Sequence, residues 1–155
     1  MGQFIEWSTE LSVGIEEIDA QHQVLVDLLN QVHEAIQQRQ GMEIARSIVT
    51  RLGEYTRVHF AVEESLMRIL HYPGYEGHKR KHDELIEHLA ELHAKLDAGK
   101  AITFELTLFL KTWLTKHIME VDQCYVPHFL ARGIDPVLAK KSWVRKLWGT
   151  MNRER

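Results

Sequence analysis

Apolar residues recur at intervals of three and four along most of the chain, and the rhythm breaks at Gly41, Pro73-Gly74, Gly99 and Gly133. That interval is the period of a helix with one buried face. It predicts four helices. The first runs roughly from Ile18 to Gln38, with Ile18, His22, Leu25, Leu29, Val32 and Ile36 on its inner stripe. The second, roughly Met42 to Leu70, offers Ile44, Ile48, Leu52, Tyr55, His59, Val62 and Leu66. The third follows Pro73-Gly74 with His78, His82, Leu85, Leu89, Leu92 and Leu96, and the fourth runs Ile102, Leu106, Phe109, Trp113, His117 and Val121. No segment alternates with the period of a strand. Short connections between helices of similar length imply antiparallel neighbours. The expected fold is therefore all-α: an up-down-up-down antiparallel four-helix bundle over residues 1–132, with an N-terminal arm and an extra C-terminal helix in residues 133–155.

Every one of these stripes carries histidine where an apolar residue would serve the core. A single core histidine is usually structural, with its ring nitrogens hydrogen-bonded. Four helices sharing the feature call for another reason, and so do ten histidines in 155 residues. Topology supplies it. In an up-down-up-down bundle the start of helix one, the end of two, the start of three and the end of four meet at one end. His22, His59, His78, His82 and His117 all fall there. Imidazole is the commonest transition-metal ligand, so metal binding is the expected chemistry.

Carboxylates join them. Glu63 follows His59 by four residues, and His78 and His82 share the same spacing, so each pair lies on one helix face. Asp122 is the carboxylate placed to join His117. A buried carboxylate is costly unless paired or bound to a metal. Five imidazoles and two carboxylates exceed what one divalent ion uses, whereas two ions bridged by the carboxylates accommodate all seven. One spacing is irregular: Asp122 lies five residues after His117, about 140° away around a regular helix. A π-turn would supply the extra residue and bring both onto one face, and such turns concentrate at functional sites. An irregularity between His117 and Asp122 is expected.

Composition changes the picture little. The length fits one domain with a full core. No apolar run approaches the roughly 20 residues that span a bilayer, and "MGQFIEWSTEL" lacks the pattern of a secretory leader. Cys124 is the only cysteine, which excludes an internal disulfide and fits a reducing, cytoplasmic setting. A formal charge of −3 argues against nucleic acid as the main partner.

The set His22, His59-x-x-x-Glu63, His78-x-x-x-His82 and His117-x-x-x-x-Asp122 resembles the ligand signature of the hemerythrins, nearest to the single-domain bacteriohemerythrins. The likeness runs from about Trp7 to about Leu130, through "SVGIEEIDAQH", "HFAVEE", "HKRKHDEL" and "WLTKHIMEVD". It implies two irons, oxo- or hydroxo-bridged. His78, His82 and His117 would hold one, His22 and His59 the other, with Glu63 and Asp122 bridging. It further implies reversible dioxygen binding at the iron with two histidines, beside an apolar pocket of Phe60, Trp113, Leu114 and Ile118. Oxygen-activating di-iron bundles use Glu-rich shells with Glu-x-x-His pairs, and none of the ten histidines here has Glu three residues before it. A carrier is therefore expected rather than an enzyme. The alternatives are an oxygen or redox sensor acting through a partner, or a di-iron enzyme handling peroxide or nitric oxide.

Several residues stand apart from this set. His33, His71, His88, His93 and His128 match no ligand position, and Cys124 reads as packing. Glu64 and Asp83 sit beside ligands, either orienting imidazoles or facing solvent. The chain is expected to be monomeric. From Gly133 onward six Lys or Arg face two acids. Asp135-Pro136 is a good helix start. The expectation is a fifth helix packed on the acidic bundle, the alternative a basic face that docks on a protein or membrane surface.

Overall fold

The computed structural model of the chain describes residues 3–38, 41–100 and 104–136. Four long helices dominate: α1 (Glu16–Gln37), α2 (Met42–Ile69), α3 (Tyr75–Asp97) and α4 (Phe104–Lys116). A π-helical turn (His117–Val121) and a 3-10 turn (Asp122–Tyr125) continue α4 into a short α5 (Val126–Ala131). There are no strands among the described residues. Helix α1 packs on α2 and α4, and α2 packs on α3. With few residues between successive helices, this is the antiparallel four-helix bundle that the periodicity predicts.

The turns close by backbone hydrogen bonds that satisfy carbonyls left over at helix ends. After α2 the amides of His71 and Tyr72 donate to Arg68 and Met67, with His71 left-handed at φ 55°. After α3 the amides of Gly99 and Lys100 donate to Leu96 and Lys95 in the same arrangement. A Cβ at Gly74 would lie 2.7 Å from the Tyr72 ring, so a larger residue there requires that ring to shift.

The N-terminal arm is strapped down rather than loose. Ile5 and the Asn30 side chain exchange two hydrogen bonds, at 2.8 and 2.9 Å. Lys111 Nζ donates to the Phe4 carbonyl at 2.8 Å. Ile5, Leu11, Val13 and Ile15 are buried. Asp19 accepts from the Val13 amide at 2.7 Å, and the first turn of α1 gathers Glu16, Glu17 and Asp19 where the helix dipole favours anions. At the other end of the chain, Ile134 packs against the core and the Pro136 carbonyl accepts from the Glu16 amide at 3.0 Å. The helix expected beyond Pro136, with its basic face, lies outside the described residues.

The stripes of α1 and α3 are inward as predicted, but two details differ. Ile44 is exposed, and Ala45 takes the buried position at the start of α2. The stripe of α4 is turned: Phe109 is exposed and Trp113 only partly buried, while Thr107, Leu110, Leu114 and Ile118 face the core. Apolar residues ring much of α4, so periodicity alone left its rotation undetermined. The predicted stripe residue Ile102 lies outside the described residues.

Candidate metal centre

His22 projects from the second turn of α1, His59 and Glu63 from successive turns of α2, and His78 and His82 from the first turns of α3. His117 opens the π-turn and Asp122 follows it. The extra residue in that turn brings Asp122 Oδ1 within 3.0 Å of His117 Nε2, despite their five-residue separation. All seven side chains are buried, and they converge. His78, His82, His117 and Asp122 form one group and His22, His59 and Glu63 a second. In each, one donor atom per residue lies within 4.8 Å of every other.

The two groups touch through their carboxylates. Asp122 Oδ1 lies 3.0 Å from His78 Nε2 and 3.0 Å from His117 Nε2, while its Oδ2 lies 3.1 Å from His22 Nε2 of the other group. Glu63 Oε1 lies 2.7 Å from His59 Nε2 and 3.8 Å from His82 Nε2. Despite this proximity, both oxygens of Glu63, both of Asp122 and the Nε2 atoms of His22, His59 and His78 have no hydrogen-bond partner of acceptable geometry among the described residues. Buried polar atoms are almost always hydrogen-bonded, so such a concentration of orphans demands another partner. Two donors each about 2.1 Å from a cation and at right angles are about 3 Å apart, the spacing found here. The donors are arranged as ligands. The set fits a pair of transition-metal ions in both number and donor type.

Electrostatics point the same way. Burial would raise the Asp122 carboxyl, but the imidazoles of His117, His22 and His78 that crowd it hold it well below the usual range. Glu63 is pushed up by burial and by Asp122, yet His59 and His82 outweigh them and lower it. For His59 burial opposes protonation, and Glu63 with Asp122 reverses this and raises it. Burial dominates at His82 and lowers it, aided by His117 and His78, against the pull of Glu64 and Glu63. Both carboxylates are thus kept anionic, the form that binds cations.

Around the donors, Phe60 stacks on His82 at 3.6 Å and 3°, and Trp113 stacks on His117 at 4.5 Å and 11°. Ile118 is fully buried and Leu114 nearly so. Phe60 and Leu114 also line an apolar cavity of about 20 Å³ running toward Leu25, Leu29 and Leu110.

Some neighbours are legible only in three dimensions. Gln21 Oε1 lies 2.6 Å from His59 Nδ1. Tyr125 is fully buried, stacks on Phe129 at 4.4 Å and tilts against His78. Burial, then the nearby charges of Glu63 and Asp122, raise its phenol well above the ordinary value. Of the two flanking acids, Glu64 turns inward to His82 Nδ1 at 2.9 Å, while Asp83 pairs with Lys79 at the surface. Cys124 is exposed and not packed; its thiol donates to the Glu120 carbonyl.

The remaining histidines lie outside the cluster. His33 stacks on Phe4 at 4.0 Å, His93 meets Thr50 and Asp97, and His128 donates to the Leu70 carbonyl.

Comparison with known proteins converges on one family. Residues 13–129 match the model of the hemerythrin HHE cation binding domain. A bacteriohemerythrin of Stenotrophomonas maltophilia is 37% identical over 119 residues, covering 77% of each chain. One from Methylococcus capsulatus is 31% identical over 121 residues, covering 77% of this chain and 92% of that one. A crystal structure of wild-type hemerythrin superposes with a TM-score of 0.77 at 29% identity, covering 81% of this chain and 98% of that chain.

Proposed function

The chain belongs to the hemerythrin family, and from that premise we propose that it binds dioxygen reversibly at a non-haem di-iron centre. His78, His82 and His117 would hold one iron and His22 and His59 the other, and Glu63 and Asp122 would be shared between them. The observation that carries this reading is the split engagement of Asp122, whose two oxygens face histidines of different groups. When bound, a pair of irons supplies the electrons that reversible dioxygen capture takes.

The chain's own residues do the rest. Five neutral imidazoles and only two carboxylates give a shell of low negative charge, which favours carriage over cleavage of the O–O bond. Phe60, Trp113, Leu114 and Ile118 wall the centre with apolar surface, so water and anions enter poorly. The apolar cavity beside Phe60 and Leu114 has the scale of one small molecule.

The test is optical. The reduced, iron-loaded protein should develop a visible band on exposure to oxygen and lose it on purging, over repeated cycles. Irreversible bleaching with turnover of oxygen or peroxide would replace carriage with an enzymatic role.

The π-turn makes a further prediction. Deleting Met119, which is exposed, leaves His117 and the Asp four residues apart, the ordinary same-face spacing of an α-helix. Metal content should survive this deletion. Inserting one alanine after Met119 rotates the carboxylate by about a further 100° and should abolish metal binding. Metal analysis of the two variants checks both arms; loss in the deletion variant would show that the turn does more than set spacing.

A further inference from the structure

A metal-bound imidazole is oriented, and made more or less basic, by the acceptor its outer nitrogen faces. The Nε2 atoms of His59 and His82 point into the cluster and keep a free lone pair only if Nδ1 carries the proton. Each Nδ1 then donates outward, and the two acceptors differ. His82 donates to Glu64 Oε2 at 2.9 Å, an anionic carboxylate with its side chain 18% exposed. His59 donates to Gln21 Oε1 at 2.6 Å, a neutral amide. The outer nitrogens of His22 and His78 are buried with no hydrogen-bond partner among the described residues. The position built from His78, His82 and His117 therefore has a charged acceptor behind it, whereas the position built from His22 and His59 has only a neutral one.

We infer that Glu64 and Gln21 are positioning residues that make the two metal positions unequal, Glu64 strengthening the three-histidine position and Gln21 holding the two-histidine position weaker. A charged acceptor shares the Nδ1 proton more strongly, which gives the ring imidazolate character and raises donation through Nε2. The neutral amide fixes the ring angle of His59 without that added donation. The position with fewer imidazoles thus also lacks the electrostatic reinforcement, which leaves it the more labile. This rests on the two-metal reading above.

The experiment titrates metal-free protein with cobalt(II) and follows binding by calorimetry and the visible ligand-field spectrum. The unaltered protein should bind two ions in a tight and a weaker phase. Glu64→Gln keeps the shape of the side chain but removes its charge, and should weaken the tight phase about 10–100-fold while leaving the weak one within threefold. Gln21→Glu should tighten the weak phase by a comparable factor and leave the tight one unchanged. A purely structural role would loosen both phases together. Equal effects on both phases, or none, overturn the inference while two-ion binding stands. Binding of fewer than two ions by the unaltered protein overturns the two-metal reading and this inference with it. The two variants act at separate positions, so a folding failure in one leaves the other decisive.

Discussion

Asp122→Ala should purify with fewer than one metal ion per chain, where the unaltered protein should carry about two, because removing a bridging ligand would weaken both sites at once. Asp122 meets imidazoles from α1, from α3 and from the end of α4, at 3.0 to 3.1 Å. No other group within the cluster spans the same three elements. Alanine offers no donor, and its methyl leaves the three Nε2 atoms facing one another. The bundle itself should persist, since its apolar core between α1, α2 and α3 does not depend on this residue. Helical far-UV dichroism alongside metal analysis separates loss of the site from loss of the fold. Retention of both ions by Asp122→Ala would sink the bridging role.

Stripping the metal should produce the largest change in stability. A ligand that binds only the folded state stabilises it by about 4 kcal/mol when present at a thousandfold its dissociation constant. For a chain of this size each kcal/mol corresponds to roughly 2–4 °C. Chelation should therefore lower the melting temperature by about 8–16 °C, and readdition of iron(II) without oxygen should restore it. The metal-free form should also be acid-sensitive. Asp122 and Glu63 are held below their ordinary range, so their contribution is present above the unfolded carboxylate value, about pH 4, and is lost as pH falls through their folded values. His82, lowered by burial, acts in the same direction, since its neutral form is favoured and acidification below about pH 6.5 works against it. His59 is raised and opposes this: its contribution is complete below about pH 6.5 and fades as pH rises through its folded value. Thermal melts of the metal-free protein should fall steadily below about pH 4, where the carboxylate losses add to that of His82. A flat profile there would show that the carboxylates are not held ionised by the histidines.

The sequence by itself determined the four helices, the end of the bundle at which the histidines gather, and the seven residues that meet there. Periodicity carried that much, because a helix converts spacing into direction and a bundle with short turns converts order into position. It also exposed the need for a π-turn, since five residues cannot share a face on a regular helix. Only the tertiary structure decided the rotation of α4, whose apolar residues ring most of its circumference, so that Phe109 and Trp113 gave up the core to Leu110 and Leu114. Only it separated Glu64 from Asp83, two acids with the same claim in sequence, one turned inward to His82 and the other held at the surface by Lys79. Gln21 and Tyr125 became visible as neighbours of the cluster for the same reason. The outer shell of a site is assembled from contacts between helices, and such contacts depend on side-chain packing across the bundle, which no spacing along one chain segment encodes.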